Sequence, residues 1–466
     1  MHRVKTVTLS LLVALLALGC TVGPNYNRPV VNVPPTHRGL PVDQADDTDT
    51  ASFADQKWWE AFQDETLQEL IRTALQQNYD VRIASVRILE AGLQLGITRA
   101  DQFPTVSAGA ASLNERIPRS RNVPAVNTNV NQVSVAAAWE LDFWGKFRRA
   151  TESARANLLA NDWARREVIS TLVSDVASSY FQLRELDLEL EIARQTLTSR
   201  RDSLRLTQLL SDRGATSLLD VRQAEQLVFG AALLIPDLEG RIEQEENFIS
   251  LLLGNNPQAV PRGRRLTEQP HAPELPAGLP STLLERRPDI RQAEEQLVAF
   301  NANIGVAKAD LFPRISLTGT GGFQSAALTS LFSGPAALWT LGASAAQPVF
   351  EAGRLRNRVR LAEAQQQEAT LVYQRTIQQA FREVADALIA YRKSQEFHVQ
   401  QEQLTRSAED ALRLSNLRYQ GGATSYLEVL DSESRKFLAQ LNLAEAQLNE
   451  LQGMVRIYRA LGGGWQ

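Results

Sequence analysis

The chain says nearly the same thing twice. Ala100-Asp101-Gln102-Phe103-Pro104 returns as Ala309-Asp310-Leu311-Phe312-Pro313, and Gly214-Ala215-Thr216-Ser217 returns as Gly422-Ala423-Thr424-Ser425. From Gly145/Gly353 to Gly254/Gly462 the copies align at a constant offset of 208 positions without a gap, matching Leu204-Arg205-Leu206 to Leu412-Arg413-Leu414. A solenoid unit is about 20 to 50 residues long, so a repeat of this length is a structural half. The 466 residues therefore read as one duplicated architecture, two similar halves packed side by side, rather than as unrelated domains.

Within each half the hydrophobic period changes in a fixed order. Leu67, Leu70, Ile71 and Leu75 open a helical pattern that runs to Asp101 and stops at Pro104; its second copy runs from Asp289 to Asp310 and stops at Pro313. Alternation follows: Val133, Val135, Ala137, Trp139 and Leu141 interleave with Gln132, Ser134, Ala136, Ala138 and Glu140, and Ile315, Leu317 and Phe323 with Ser316, Thr318 and Gln324. This predicts strands over 105–117, 130–143, 314–325 and 337–350, of a length that crosses a bilayer at a tilt.

Proline-free helices are predicted next, over 145–211 and 353–420. At 1.5 Å per residue each reaches on the order of 100 Å. After the Gly-Ala-Thr-Ser turn, return helices are predicted over 217–254 and 426–461. In the last one Phe437, Leu441, Ala444, Leu448, Leu451, Val455 and Tyr458 follow alternating spacings of 4 and 3, a coiled-coil seam. Pro236 stands where the second half has Ala444 and is expected to interrupt its helix, so that the halves bend differently.

The N-terminus carries Arg3 and Lys5, then an apolar run from Val7 to Leu18, then Gly19-Cys20. This resembles a bacterial lipoprotein signal, in which residues 1–19 are removed and Cys20 is acylated, although Ala17 stands where Leu is commoner. A plain cleaved secretory signal is the alternative. Thr21, in place of Asp, points to the outer membrane, and several acyl chains would anchor the chain stably. The domain boundaries expected are a tether over 20–50, rich in Pro and ending in an Asp cluster, a first repeat over 51–256, a Pro-rich connection over 257–288 and a second repeat over 289–466.

Composition excludes several classes. A net charge of -4 gives no footprint for nucleic acid. Cys20 is the only cysteine and His2, His37, His271 and His398 are scattered, so no metal site, disulfide or cofactor is expected. No nucleophile elbow or Walker loop is present, which argues against an enzyme and places any energy source in a partner. Four strands cannot close a barrel, and lipid forbids an open sheet edge, so the chain must oligomerise. Two copies would give eight strands filled by side chains, and three would give twelve around an aqueous lumen.

Cys20-Thr21-Val22-Gly23-Pro24-Asn25-Tyr26-Asn27-Arg28-Pro29, Trp58-Trp59-Glu60-Ala61-Phe62, the two Ala-Asp-x-Phe-Pro copies and Tyr419-x-x-Gly422-Ala423-Thr424-Ser425 together resemble the TolC-like outer-membrane efflux proteins, in their lipoprotein (OprM-type) branch. The resemblance covers essentially all of the mature chain. It implies a mainly α fold with a transmembrane β part: a homotrimer whose twelve-stranded outer-membrane barrel continues into a long coiled-coil helical tunnel in the periplasm. It also implies docking to a periplasmic adaptor and an inner-membrane pump, commonly of the resistance-nodulation-division class. The protein would then be a passive exit duct for drugs or other toxic small molecules. A duct for type I polypeptide secretion and a non-conducting coiled-coil lipoprotein scaffold are the alternatives; the alternating strands speak against the scaffold.

The resemblance further implies that the tips, Gly214 to Asp220 and Gly422 to Asp431, close the tunnel, with Glu428 and Asp431 as acidic gate residues and Tyr419 in the constriction. Read locally, Ser425-x-x-Glu428 is also a capping box, and Ser217-x-x-Asp220 repeats its form. Asp431 has the neutral Gln223 as its counterpart in the first half and is the better gate candidate, while Tyr419 also suits helix packing. Thr216, Ser217, Thr424 and Ser425 are turn and N-cap residues, and adaptor contact follows for them from the resemblance alone. Arg354, Arg356, Arg358 and Arg360 crowd a helix start, with Lys146, Arg148 and Arg149 in the equivalent place; they suit anionic outer-membrane lipid or a solvated face. Trp139, Phe143 and Trp144 suit an aromatic belt or packing at the sheet-to-helix junction.

Overall fold

The computed structural model describes residues 21–39, 52–119, 124–270 and 275–465; the signal segment, Cys20 and the acidic end of the tether lie outside them. The element order is α1 (Trp58–Ala61), α2 (Glu65–Gln77), α3 (Tyr79–Ala100), β1 (Thr105–Ile117), β2 (Val126–Glu140), α4 (Lys146–Asp212) and α5 (Leu218–Leu252). The second half adds α6 (Pro280–Arg286), α7 (Pro288–Ala309), β3 (Arg314–Ser325), β4 (Ala337–Ala346), α8 (Arg354–Gln420) and α9 (Tyr426–Ala460). The duplication holds to the residue in the long helices: α4 and α8 have 67 residues each, α5 and α9 have 35. No helix among the described residues is long and apolar enough to cross a membrane.

Three boundaries differ from the periodicity, each for a local reason. The helical pattern from Leu67 breaks at Asn78, whose Oδ1 accepts from Asp80 N (2.8 Å) and Val81 N (3.2 Å) while its Nδ2 donates to Leu252 O (2.9 Å). Strand β2 starts at Val126 and ends at Glu140 rather than running over 130–143. Asp142 is needed as a cap, its carboxylate accepting from Phe147 N (3.1 Å) and Arg148 N (3.0 Å) at the start of α4. Strand β4 stops at Ala346 instead of 350, because Gln347 turns its amide onto Leu311 O (3.0 Å) and Pro348 has no donor to continue the ladder. Helix α5 in turn runs unbroken past Pro236, where an interruption was expected.

The chain forms two compact units that cut across the repeats. One comprises Arg87–Asn161, Gln292–Gln374 and the segment up to Val30; the other comprises Val31–Val86, Asp162–Arg291 and Arg375–Gln466. The first contains the sheet, four antiparallel strands in the order β1-β2-β3-β4. Its corners are the repeated Ala-Asp-x-Phe-Pro motifs. Asp310 pairs with Lys146 (2.9 Å), Phe312 stacks on Trp144 (4.7 Å between centroids), and Pro313 O accepts Trp144 Nε1 (2.8 Å). In the other copy, Gln102 O accepts Trp139 Nε1 (3.0 Å).

The start of the tether lies extended on the same unit. Val22 N donates to Trp144 O (3.0 Å), Arg149 Nη2 to Asn25 Oδ1 (2.7 Å) and Asn301 Nδ2 to Pro24 O (3.1 Å). Arg28 pairs with Glu294 (2.9 Å). Gly23, at φ 104°, crosses Gly305 so closely that a Cβ on it would lie 2.5 Å from Gly305 Cα. The second unit has an aromatic core in which Phe62 and Phe53 meet the Tyr458 ring edge-on, at 5.7 and 5.3 Å. Trp58 and Phe62 of the Trp-Trp-Glu-Ala-Phe segment are buried there.

Candidate channel wall and tip

Register shows that the sheet is two-faced next to the Ala-Asp-x-Phe-Pro corners, whereas towards the far ends of β1 and β2 the pattern inverts, with Asn114, Arg116, Asn127 and Asn129 on the face of Val133 and Leu113, Ile117, Val126 and Val130 on the other. Val133, Val135, Ala137 and Trp139 of β2 share a face with Val106 and Ala108 of β1, Leu317 and Phe323 of β3, and Trp339 and Leu341 of β4. The opposite face carries Thr105 and Ser107, Gln132, Ser134 and Glu140, Arg314, Ser316, Thr318, Thr320 and Gln324, and Thr340 and Ser344. An apolar face backed by a polar one is the pattern of a barrel wall, with lipid outside and water inside. Among the described residues, each outer strand, β1 and β4, has one side without a partner strand. A row of free N–H and C=O groups is not tolerated in hydrocarbon, so the sheet requires further strands at both edges.

The two tips solve the same reversal with different chemistry. Gly214 and Gly422 both sit at φ 70°, the left-handed conformation that ends α4 and α8. At the first tip Ser217 and Asp220 form a complete capping box: Asp220 N donates to Ser217 Oγ (3.2 Å) and Ser217 N to Asp220 Oδ2 (3.0 Å). Thr216 Oγ1 adds a third hydrogen bond to Asp220 Oδ2 (2.6 Å), and bonds from Thr216 and Ser217 hold the Asp220 carboxyl below its usual range. At the second tip the box fails to form, because Ser425 makes no side-chain cap. The longer Glu428 side chain reaches past it to the Thr424 hydroxyl and to Arg418 Nη1 (3.1 Å).

Asp431 is exposed and, among the described residues, bonded only along its own helix, to Arg435 Nε (2.7 Å). Such an exposed i, i+4 pair contributes about 0.3–0.5 kcal/mol, so the charge remains available to its surroundings. Tyr419 packs against Tyr426 (5.1 Å between centroids) beside the buried cluster of Ala224, Val429 and Leu430.

At the foot of the sheet, Trp139 lies on the apolar face, whereas Trp144 sits in the corner stacked on Phe312. Arg148 is engaged by Asp142 (3.2 Å), and Arg149 is buried on Glu152 (2.7 Å). Arg354 grips Glu351 with two hydrogen bonds of 2.9 and 2.7 Å, which lower the Glu351 carboxyl below its usual range; Arg356 is exposed. Sequence reasoning passed over Trp339, which alternation from Leu341 would have placed on the apolar face. It also passed over Leu219 and Leu427, equivalent tip residues that are 65% and 56% exposed.

The sequence profile of outer membrane efflux proteins matches this chain twice, over residues 70–255 and 279–463. The chain belongs to the outer membrane efflux protein family. The double match coincides with the duplication. Among curated proteins, the chain is 36% identical to the solvent efflux pump outer membrane protein SrpC of Pseudomonas putida, over 99% of both chains. It is 35% identical to the cation efflux system protein CusC of Escherichia coli K12, over 97% of this chain and 98% of that one. Among solved structures, the outer-membrane channel OprN superposes with a TM-score of 0.88 at 33% identity, covering 96% of this chain and all of that one. The open state of the Neisseria gonorrhoeae MtrE channel gives 0.86 at 30% identity, covering 96% and 99%.

Proposed function

We propose that this protein is an outer-membrane efflux channel, a passive exit duct for small toxic molecules driven by an inner-membrane transporter. The observation that carries the reading is the two-faced sheet with both edges unpaired: it is a piece of a barrel and has no use outside one. Three copies supply twelve strands, enough for an aqueous lumen, where two would pack shut. The exposed apolar ridge Leu89, Leu93 and Ile97 on α3 supports the same assembly, since a neighbouring copy would bury it. Cys20 is the anchor in this reading, acylated after cleavage, and the tether that follows it is already seated on Arg149, Asn301 and Glu294.

The relatives' names, solvent and cation efflux among them, favour small cargo over polypeptides. Purified protein in planar bilayers is expected to give discrete conductance steps; a silent bilayer would leave only the scaffold reading.

The tips are the periplasmic gate and the adaptor-docking end of this duct. Three copies of Asp431 around one axis form an anionic ring that cations or basic groups of a neighbouring copy can bridge shut, since each carboxylate has only a weak pair with Arg435 among the described residues. Asp431→Ala is expected to raise single-channel conductance or open time, and Glu428→Ala to add to it by freeing Arg418. Unchanged currents in both variants would reduce these residues to helix-end chemistry. Exposed Leu219 and Leu427 are the apolar part of the docking surface, beside Thr216, Ser217, Thr424 and Ser425. Leu219→Asp with Leu427→Asp should abolish adaptor-dependent efflux in cells while leaving bilayer conductance intact.

A further inference from the structure

The four arginines at the start of α8 do not share a face. At about 100° per residue, Arg354 and Arg358 lie about 40° apart, Arg356 and Arg360 likewise, and the two pairs point about 160° away from each other. Buried Val359 and Ala362 lie between them, so each pair flanks a different side of the packed stripe. One observation tells the sides apart. Arg354, Arg358 and Arg314 all act electrostatically on Glu351, and Arg314 begins β3 on its polar face. The pair Arg354/Arg358 therefore belongs to the pore side, and Arg356/Arg360 to the side continuous with Trp139 and Leu317. On that outer side Glu363, the nearest acid along the helix, is held by Lys308 (3.2 Å). Among the described residues, neither Arg356 nor Arg360 is paired with a carboxylate. Val349 and Phe350, just before the helix, are 94% and 86% exposed, so apolar surface ends where these guanidinium groups begin.

We propose that Arg356 and Arg360 form a binding site for the phosphates of anionic phospholipids in the inner leaflet of the outer membrane. This rests on the barrel reading above, and it splits the basic cluster into an outer, lipid-binding pair and an inner pair on the pore wall, to which Arg354 belongs. The physical logic is that of an interface. An apolar wall sets the depth, and unpaired guanidinium groups one step below it meet the headgroup layer, where they donate to phosphate oxygens in bidentate fashion. In a ring of three copies each patch meets a different patch of its neighbour, so protein contact at the outer pair would need an acidic partner surface, and a preference for phosphatidylglycerol over phosphatidylcholine distinguishes the two occupants. Zwitterionic lipid offers the same phosphate but cancels its charge, so anionic headgroups are preferred.

The test compares binding of pyrene-labelled phosphatidylglycerol and phosphatidylcholine to the purified full-length protein in dodecyl maltoside. Each basic residue at a membrane surface is worth about a fivefold change in affinity. Arg356→Gln with Arg360→Gln is expected to cut the preference for phosphatidylglycerol by about 25-fold. Arg354→Gln with Arg358→Gln should leave it unchanged and instead shift the reversal potential across a salt gradient. The proposal is overturned if the outer pair can be removed without effect, or if the inner pair matters equally. Should the outer double variant not assemble, the wild-type preference must still collapse between about 50 and 500 mM NaCl, and a salt-independent preference overturns the proposal as well. Bilayer conductance of the same samples separates the two readings: steps without lipid preference sink this inference alone, and a silent wild type sinks the channel.

Discussion

Replacing Asp64 by asparagine is expected to cost about 3 kcal/mol or more, although the two side chains have the same shape. Asp64 is 2% exposed and both of its oxygens are saturated. Oδ1 caps α2 by accepting from Thr66 N (2.9 Å) and Leu67 N (3.3 Å). Oδ2 accepts from Tyr180 Oη (2.9 Å), Arg264 N (3.0 Å) and Gln269 Nε2 (2.8 Å), and so ties α4 and the connection between the repeats to the start of α2. An asparagine must turn its NH2 either on three donors or on the helix cap, and it satisfies neither. Gly263→Ala should disturb the same knot, because a Cβ there would lie 2.8 Å from the Tyr180 hydroxyl and nearer still to the Asp64 carboxylate.

The same residue predicts an acid limit. Burial alone would raise the Asp64 carboxyl, but the bonds from Gln269, Tyr180, Leu67 N and Arg264 N outweigh it and hold the group below its ordinary value of 3.8. A lowered folded-state value contributes stability that is present above about 3.8 and lost as pH falls through the folded value. Thermal midpoints of the wild type in detergent should therefore drop below about pH 4, while Asp64→Asn, already low, should change less over that interval. A variant that follows the wild-type curve would show that other carboxylates set the acid limit.

Arg287→Met is the second large effect, expected at about 2–3 kcal/mol because it removes a buried guanidinium and leaves the half-buried carboxylates of Asp289 and Glu383 without that partner. The guanidinium is buried and donates to Asp289 from Nε (3.0 Å) and Nη2 (2.6 Å), to Glu383 (2.7 Å) and to Ala460 O (3.1 Å). It thereby joins the start of α7, the middle of α8 and the end of α9. Glu167 lies on the same cavity of about 560 Å3, its carboxyl raised by burial and then by Asp289 and Glu383. Without Arg287, Glu167, Asp289 and Glu383 share the cavity with Arg459, whose charge, 3.7 Å from Glu167, is too little to offset three acids, so the variant should recover in part as pH falls and they protonate, the opposite of the Asp64 trend. Arg287→Lys keeps the charge but cannot reach both carboxylates and the carbonyl, and should fall between. Equal stability of Met and Lys variants from pH 5 to 8 would show that the pairing contributes little.

Much of the fold was legible because its signals are local. Alternation places Val133, Val135 and Trp139 on one face of a strand, and the paired register leaves them there. Proline-free periodicity bounds the long helices closely, and the Gly-Ala-Thr-Ser turns recur at both tips. What was not legible depends on which partner a polar atom finds. Ser217-x-x-Asp220 and Ser425-x-x-Glu428 read alike, yet one extra methylene lets Glu428 pass the serine and reach Arg418. The four arginines of α8 read as one basic cluster, and only the position of Arg314 on the polar face separates them.

The sequence by itself determined that there are two equivalent halves, in what order their helices and strands come, and that the strands need lipid on one face. These follow from periods of 2 and 3.6 residues and from a repeat, all of which are properties of neighbouring positions. Only the tertiary structure decided that the compact units cut across the halves, and that Asp64 binds together segments 116, 200 and 205 positions away. A buried polar atom must be satisfied by whatever donor the packing brings, and that donor leaves no period in the chain.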